Sequence, residues 1–286
     1  MHKPSQITEK RALAGPRLEI KQCRYGIMMY LRQDMYVGRS FKEYGEFSEG
    51  EVALFRQCLQ PGDVALDIGA NLGSHTVPLA HLVGPSGFVH AFEPQRILFQ
   101  IVCGNLALNE LDNVRALPVA LGRAPGRTKI PPIDYGGLNN FGGVEIGGAQ
   151  GEDVEVVALD QLDLPKIKLM KIDVEGMELD VLLGAKATLA RCRPILYVEN
   201  DRVEKADALA AQLLESGFRL WWHTPLLYNS DNFLGNPENV FGAIRSFNML
   251  CLPKESTLAV EGMPEIKSPQ DASAFLRTGH VVGATP

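Results

Sequence analysis

Hydrophobic residues along the chain fall into short runs that alternate with amphipathic stretches. Val64–Ile68 is apolar except for one aspartate, and a helical pattern follows over Thr76–Val83. Further strands are predicted at 87–92, 114–119, 168–172, 194–198, 218–222 and 247–252, and further helices at 95–108 and 205–215. Short apolar strands alternating with helices predict a parallel sheet that helices cover on both faces. The fold class is therefore predicted as doubly wound α/β.

Changes of pattern divide the chain into an N-terminal extension, an α/β domain and a tail: residues 1–47, 48–253 and 254–286. The extension holds two predicted short strands within 27–37, and the tail a short helix at 272–276. Ser48, with Glu51 three residues later, predicts a capping box where the first helix of the domain begins. The glycine-rich segment 122–153 is either a substrate-facing loop or a plain mobile insertion.

Composition narrows the class of protein. The 286 residues carry a net charge of −6 and the pI is near 5.6, which argues against a nucleic-acid partner. No apolar stretch approaches the roughly 20 residues that a membrane-spanning helix needs. Five scattered cysteines without a CxxC pair fit a reducing compartment. We expect a cytoplasmic protein that is neither exported nor membrane-bound, and exposed N-terminal strands leave a homodimer open.

The turn after the first strand of the domain is a predicted cofactor site. Asp67, Gly69, Asn71 and Gly73 lie at the carboxyl end of that strand, where open parallel sheets bind ligands. A dinucleotide fold would need the spacing GxGxxG, and an aspartate would repel a pyrophosphate. Asp67 suits instead the ammonium of an amino acid. The alternative is an aspartate that only caps the following helix.

A second acid lies one β-α-β unit further along the chain. Glu93, followed by Pro94, ends the next strand, where a carboxylate can accept hydrogen bonds from both hydroxyls of a ribose. Ala120, after the third strand, could line an adenine pocket, although core packing explains it equally well. An amino-acid site beside a ribose site predicts S-adenosylmethionine (SAM) as the cofactor.

Four sequence motifs carry a resemblance to a known family: DIGANLG, FEP, NLALN and KIDVEGMELDVLLGA. Together they resemble the FkbM-type methyltransferases over roughly residues 52–252. The resemblance implies a seven-stranded class I (Rossmann-like) methyltransferase fold with its last strand antiparallel. It also implies SAM as methyl donor and hydroxyls of sugars or natural products as typical acceptors.

Acids at two neighbouring strand ends are the predicted catalytic groups. Asp173 ends the fourth strand and Glu199 and Asn200 end the fifth, so all three are expected at one edge of the sheet. They either hold a divalent cation such as Mg²⁺, which would lower the pKa of the acceptor hydroxyl, or only accept hydrogen bonds. His223, after the sixth strand, is the metal-free candidate base, and His75 a further candidate near the cofactor.

The acceptor is expected to be a small hydroxylated molecule. The fourth strand ends in IDVEG, without the aromatic motif with which base-modifying methyltransferases clamp a flipped base, and this disfavours nucleic acid. The residues proposed to contact the acceptor are Glu175, Asn200, Tyr135, Asn139 and Asn232. Two alternatives stay open: methylation of a carboxyl, amine or macromolecule, and a non-catalytic SAM-binding scaffold.

Overall fold

The computed structural model describes residues 15–279, in which strands and helices alternate through most of the chain. The strands are β1 (Leu18–Cys23), β2 (Gly26–Leu31), β3 (Val64–Ile68), β4 (Phe88–Phe92), β5 (Val114–Leu117), β6 (Ala120–Leu121), β7 (Gly126–Ile130), β8 (Glu152–Val157), β9 (Leu169–Ile172), β10 (Ile195–Glu199), β11 (Phe218–His223), β12 (Asn248–Pro253) and β13 (Glu265–Ile266). The helices are α1 (Val37–Tyr44), α2 (Glu49–Cys58), α3 (Thr76–Val83), α4 (Arg96–Leu108), α5 (Glu178–Leu183), α6 (Lys186–Cys192), α7 (Val203–Glu215) and α8 (Pro269–Gly279).

The main sheet has the order β13-β11-β12-β10-β9-β3-β4-β5. Neighbouring strands from β10 to β5 are parallel, whereas β12 runs antiparallel to both β10 and β11. The predicted doubly wound sheet with an antiparallel last strand is therefore present. The predicted number of seven strands was too low by one, because the tail adds β13 beside β11. The strand order reverses between β3 and β9, and this position is the expected place for a ligand.

Two apolar clusters hold helices against the two faces of this sheet. Successive residues of β3 point into different clusters. Leu66 lies in the cluster under α5, α6, α7 and α8, and Ala65 lies in the cluster under α2 and α3. This alternation follows from the two-residue period of a strand. Both faces are covered, as the uninterrupted apolar strands predict.

The N-terminal segment packs on α4 as a β-hairpin followed by a helix. The side chain of Asn105 accepts a hydrogen bond from the Met29 amide at 2.6 Å and donates one to the Met29 carbonyl at 3.0 Å. The strand prediction over 27–37 was wrong in its second half, because α1 begins at Val37. Asp34 stops the chain from staying extended, since one carboxylate oxygen accepts the amides of Tyr36 and Val37.

The glycine-rich segment and residues 254–279 of the tail both pack against the domain. Part of the glycine-rich segment forms β7 and β8, which join β6 in a small sheet, and residues 140–146 lie along the ligand cleft. The tail helix predicted at 272–276 extends over 269–279 and packs on α7, where Ser273 binds the carboxylate of Asp207. Within residues 15–279, none of the helices combines the length and hydrophobicity that crossing a bilayer requires.

Candidate active site

A cleft of about 340 Å³ opens at the carboxyl ends of β3, β4, β9 and β10. Its volume falls in the range of roughly 300–1,000 Å³ that is common for small-molecule sites. The strand ends contribute Gly69, Asn71, Glu93, Pro94, Lys171, Asp173, Glu175 and Glu199. Tyr36 and Phe47 come from the N-terminal segment and Glu51 from α2. The loops between β11 and β12, called the late loops below, contribute Leu227, Ile244, Arg245 and Ser246, and Asn248 begins β12.

Glycines shape the turn that forms one wall of the cleft. Gly69 has a φ of +83°, and a Cβ atom there would collide with the carbonyl oxygen of Asp173. Gly73 has a φ of +89°, and a side chain there would press against Val102 on α4. Both positions therefore require glycine for backbone conformation and for close packing. Gly73 does not itself line the cleft.

Asp67 lies one layer behind the cleft and not in its wall. Its carboxylate accepts a hydrogen bond from the Thr76 hydroxyl at 2.6 Å and lies 3.3 Å from the Lys171 ammonium. Asp67 and Lys171 are register partners on neighbouring strands, so their side chains leave the sheet on the same side. Burial raises the pKa of Asp67 although Lys171 acts to lower it. Asp67 therefore supports Lys171 behind the cleft wall, and its direct contact with a ligand ammonium stays a prediction.

Glu93 faces the cleft from the end of β4, as predicted. Its two carboxylate oxygens accept the amides of Asn71 at 2.7 Å and Gln95 at 2.8 Å. Burial raises the pKa of Glu93 to about 8, although these two amides act to lower it. Two anchored oxygens with lone pairs to spare suit the paired hydroxyls of a ribose.

The residues around Glu93 fit a nucleoside. Pro94 and Ala120 line the cleft beside it, and the side-chain oxygen of Asn71 is buried without a hydrogen-bond partner among the described residues. A Cβ atom on Gly142 would meet the amide of Asn71, so the glycine-rich segment approaches the β3 turn closely. The unmatched oxygen of Asn71 and the anchored carboxylate of Glu93 are groups that a polar ligand would satisfy.

Three carboxylates meet at the other end of the cleft. Asp173, Glu175 and Glu199 each bring one oxygen to within 4.8 Å of the others. Lys171 lies 3.2 Å from Asp173, and Arg202 lies 2.8 Å from Glu175. Burial and the charge of Asp173 raise the pKa of Glu175 to about 8 and that of Glu199 well above its usual value. Burial and mutual repulsion therefore make Glu175 and Glu199 hold a proton more readily than exposed glutamates do.

Asn200 does not join this cluster. Its side-chain nitrogen lies 3.3 Å from the sulfur of Met249 and 3.4 Å from the carbonyl of Ala206, beneath the sheet edge. Glu199 precedes it and points into the cleft, because successive residues of an extended chain alternate in direction. Asn200 does not line the cleft, and Glu175 is the acid that lies beside Asp173 and Glu199.

Four other predicted residues lie outside the cleft lining. His223 is held by the hydroxyl of Tyr197 at 2.8 Å, and burial lowers its pKa to about 4. Tyr135 donates to Gln95, and the backbone of Asn139 pairs with the N-terminal segment while its neighbour Asn140 reaches the cleft. Asn232 donates to two carbonyls of its own loop and stabilises that loop. Each of these residues forms hydrogen bonds with other parts of the protein that the sequence pattern does not reveal.

Several residues of the cleft wall were not predicted as site residues or were named only as further candidates. Lys171 is buried between two aspartates, and its position inside an otherwise apolar strand was the available signal. Glu51 was assigned to a capping box, and His75 was only a further candidate near the cofactor. Phe47 had no signal, since an aromatic residue before a helix is usually a core residue.

Comparison with known proteins agrees with this geometry. The profile of the Methyltransferase FkbM domain matches residues 67–220, more than half of the chain. The chain belongs to the FkbM methyltransferase family.

Named relatives are similar over part of the chain. The chain is 29% identical over 196 residues to the 31-O-demethyl-FK506 methyltransferase FkbM of Streptomyces tacrolimicus. This alignment covers 56% of this chain and 74% of that protein. It is 29% identical over 153 residues to the methyltransferase sdnD of Sordaria araneosa, covering 42% of this chain and 59% of that protein. This chain therefore spans less than two thirds of the length of sdnD.

A solved structure is also similar. It is the methyltransferase FkbM from Methylobacillus flagellatus KT, with a TM-score of 0.46 and 14% identity over 70% of this chain and 50% of that one.

Proposed function

We propose that this FkbM family protein transfers a methyl group from SAM to a hydroxyl of a small sugar-like or natural-product acceptor. The observation that carries the proposal is the single cleft in which Glu93 is anchored at one end and a set of titratable carboxylates lies at the other. The name of one relative, a 31-O-demethyl-FK506 methyltransferase, supports a hydroxyl as the acceptor group.

The cofactor is assigned to the end of the cleft that contains Glu93. Glu93 would bind the ribose hydroxyls, Gly69 and Asn71 would face the amino-acid portion, and Pro94 and Ala120 would face the adenine. Bound SAM supplies a methyl group activated by a positively charged sulfur. Asp67 contributes indirectly, because it holds Lys171 and the β3 turn in place.

The acceptor is assigned to the space between the N-terminal segment and the late loops. Tyr36, Phe47, Leu227 and Ile244 offer apolar surface there, and Ser246 offers a hydroxyl. Such a mixture suits a small molecule with an apolar frame and a few hydroxyls. Catalysis would come mainly from alignment of the acceptor oxygen with the methyl group. Asp173 and Glu199 are candidates to receive the hydroxyl proton, or to hold a magnesium ion that assists its departure.

Calorimetric titration with S-adenosylhomocysteine (SAH) tests the cofactor assignment. We expect micromolar binding by the unmodified protein and a loss of roughly 10- to 100-fold in Glu93→Ala, because two hydrogen bonds from the ribose to a carboxylate are lost. Glu155→Ala, at an exposed acid on β8, is the matched control and should bind SAH normally. Absence of SAH binding by the unmodified protein would refute the proposal.

A screen of hydroxylated acceptors with radiolabelled SAM tests the transfer. Turnover with and without magnesium or a chelator then decides whether a cation takes part. SAH binding without transfer to any acceptor would favour a scaffold over an enzyme.

A further inference from the structure

A buried glutamate and a buried histidine face the acceptor end of the cleft. Glu51, on α2, and His75, at the start of α3, are each 3% exposed, and both line the cleft. Their nearest side-chain atoms, Glu51 Oε2 and His75 Nε2, are 3.4 Å apart. Glu51 lies outside the segment 67–220 that matches the family profile, so the family assignment alone does not point to it.

His75 presents an unsatisfied polar atom to this space. Its ring is held between Phe47 and Phe55, each with a centroid separation of 5.7 Å. Nε2 is buried and makes no hydrogen bond within the described residues. Leaving such an atom unpaired is unfavourable, so the site is arranged to be completed by a polar group from outside.

Glu51 is held in place by neutral hydrogen-bond donors. The Ser48 hydroxyl donates to Oε1 at 2.8 Å, and the Asn248 amide lies 3.4 Å from the same oxygen. Ser48 has a left-handed backbone with a φ of 46°, and its side chain makes no hydrogen bond to the amides of α2. The predicted capping box is therefore not formed, because the serine binds the glutamate side chain instead. A local rule broken in this way is typical of a functional site.

We infer that Glu51 and His75 form the subsite for the reacting hydroxyl of the acceptor, with Glu51 as the proton acceptor and His75 as the positioning residue. This inference rests on the proposed function and deepens it. In the reaction, the hydroxyl oxygen forms a bond to the methyl carbon while the carbon–sulfur bond breaks. The electron pair of that bond stays on sulfur, and the hydroxyl proton moves to the carboxylate of Glu51.

Two other carboxylates of the cleft are engaged by cations, since Asp173 is paired with Lys171 and Glu175 with Arg202. In the described part of the chain, Glu51 forms no ion pair with a lysine or arginine. The basic side chain that contacts its carboxylate is His75.

Charged and titratable groups face Glu51 from three elements. They are His75 on the α3 side, Lys171 on β9 with Asp173 directly after it, and Tyr197 on β10. Burial raises the pKa of Glu51 to about 7, although the hydroxyls of Ser246 and Ser48 and the charge of Lys171 act to lower it. A base with a pKa close to the working pH combines a large deprotonated fraction with useful basicity. Burial keeps His75 neutral, since its pKa is lowered well below its usual value.

The first test needs no acceptor. Protein labelled with ¹³C at the glutamate side-chain carboxyls would be titrated by NMR while saturated with SAH, with Glu51→Gln used to assign the signal. A midpoint between about 6 and 8 is expected for Glu51, against about 4.3 for an unperturbed glutamate. A midpoint below 5 would overturn the inference, because the group would then be too weak a base.

The second test is turnover with the acceptor found by the screen. Glu51→Gln keeps the shape of the side chain and should lower kcat at least 100-fold while the SAH affinity stays within twofold. The acidic limb of the pH profile, with its midpoint near 7 in the unmodified enzyme, should disappear, which a purely structural role would not cause. Glu49→Gln is the matched control, an acid on the same helix that binds Tyr25 outside the cleft, and should retain activity.

Failure of this inference is distinguishable from failure of the proposed function. Glu51→Gln turnover within threefold of the unmodified enzyme would overturn the role of Glu51 and leave the methyl transfer intact. Absence of SAH binding by the unmodified protein would instead refute the proposed function. A His75→Gln variant should raise the KM for the acceptor more than it lowers kcat, and an unchanged KM would overturn the positioning role.

Discussion

Replacing Lys171 with methionine is expected to destabilise the protein by about 3–5 kcal/mol near pH 7, because it leaves a buried carboxylate without its partner. The Lys171 side chain is 3% exposed and its ammonium lies 3.3 Å from Asp67, which is fully buried. Burial acts to lower the pKa of Lys171, but Asp173, Asp67 and Glu51 offset it, and the pKa is raised overall. Lys171 is therefore charged near neutral pH.

Most of the predicted loss comes from Asp67. Asp173, the other partner of Lys171, has a side chain that is 36% exposed, so solvent screens that pair and it contributes at most about 1 kcal/mol. Asp67 retains only the hydrogen bond from Thr76 when Lys171 is removed. Urea unfolding measures the change, and for an m value of roughly 3 kcal/mol/M the midpoint should fall by about 1–1.7 M.

The pH dependence gives the sign of the effect. Burial raises the pKa of Asp67 in the folded state, so the folded protein binds this proton more tightly than the unfolded chain does. A group of this kind favours folding below its unfolded pKa, near 3.9, and that contribution is lost as the pH rises through the folded pKa. Removing Lys171 raises the folded pKa of Asp67 further. The loss of stability should therefore be largest near neutral pH and become smaller toward pH 4.

Two further variants decide the reasoning. Lys168→Met, at an exposed lysine just before the same strand, should change the free energy of unfolding by less than about 0.5 kcal/mol. The double variant Lys171→Met with Asp67→Asn should regain most of the loss, because no buried charge remains. A loss below 1 kcal/mol in Lys171→Met, or a double variant no more stable than the single one, would refute the account.

Two other predictions concern Asn105, whose side chain binds the N-terminal hairpin, and His223, which the sequence indicates as a candidate base. Asn105→Ala should cost roughly 2–4 kcal/mol in urea unfolding, because it leaves the amide and carbonyl of Met29 and the carbonyl of Leu72 without their side-chain partner; a cost below 1 kcal/mol would show that the hairpin is held mainly by apolar packing. His223→Phe should retain SAH affinity and turnover within threefold and lose about 1 kcal/mol of stability through the hydroxyl of Tyr197. A tenfold loss of turnover at unchanged SAH affinity would restore His223 as a candidate base.

The elements of the main sheet were predictable because their signals are local. The bounds of β3 and α3 agree with the predicted Val64–Ile68 and Thr76–Val83, since an apolar run and a helical period are readable without knowing their neighbours. The same holds for the position of Glu93, which a strand of known direction carries to the ligand edge of the sheet. The second half of 27–37 was mispredicted because the carboxylate of Asp34 turns the chain into α1.

The direction of side chains at the strand ends was not predictable. Asp67, Asn200 and His223 all lie at or near the predicted edge, yet their side chains contact other residues and do not line the cleft. Glu175 joins Asp173 and Glu199 through a turn in which its own φ is +54°, a conformation that no spacing rule indicates.

By itself, then, the sequence determined the strand–helix order, the glycine turn and the acid that ends β4, because each depends on residues that are near one another in the chain. Only the tertiary structure decided which residues from other segments line the cleft beside these strand ends. Glu51, His75 and Asn248 come from three distant segments, and 197 residues separate Glu51 from the amide that approaches it. Contacts of that kind depend on how the N-terminal segment and the last strands pack across the sheet edge, and no local pattern encodes them.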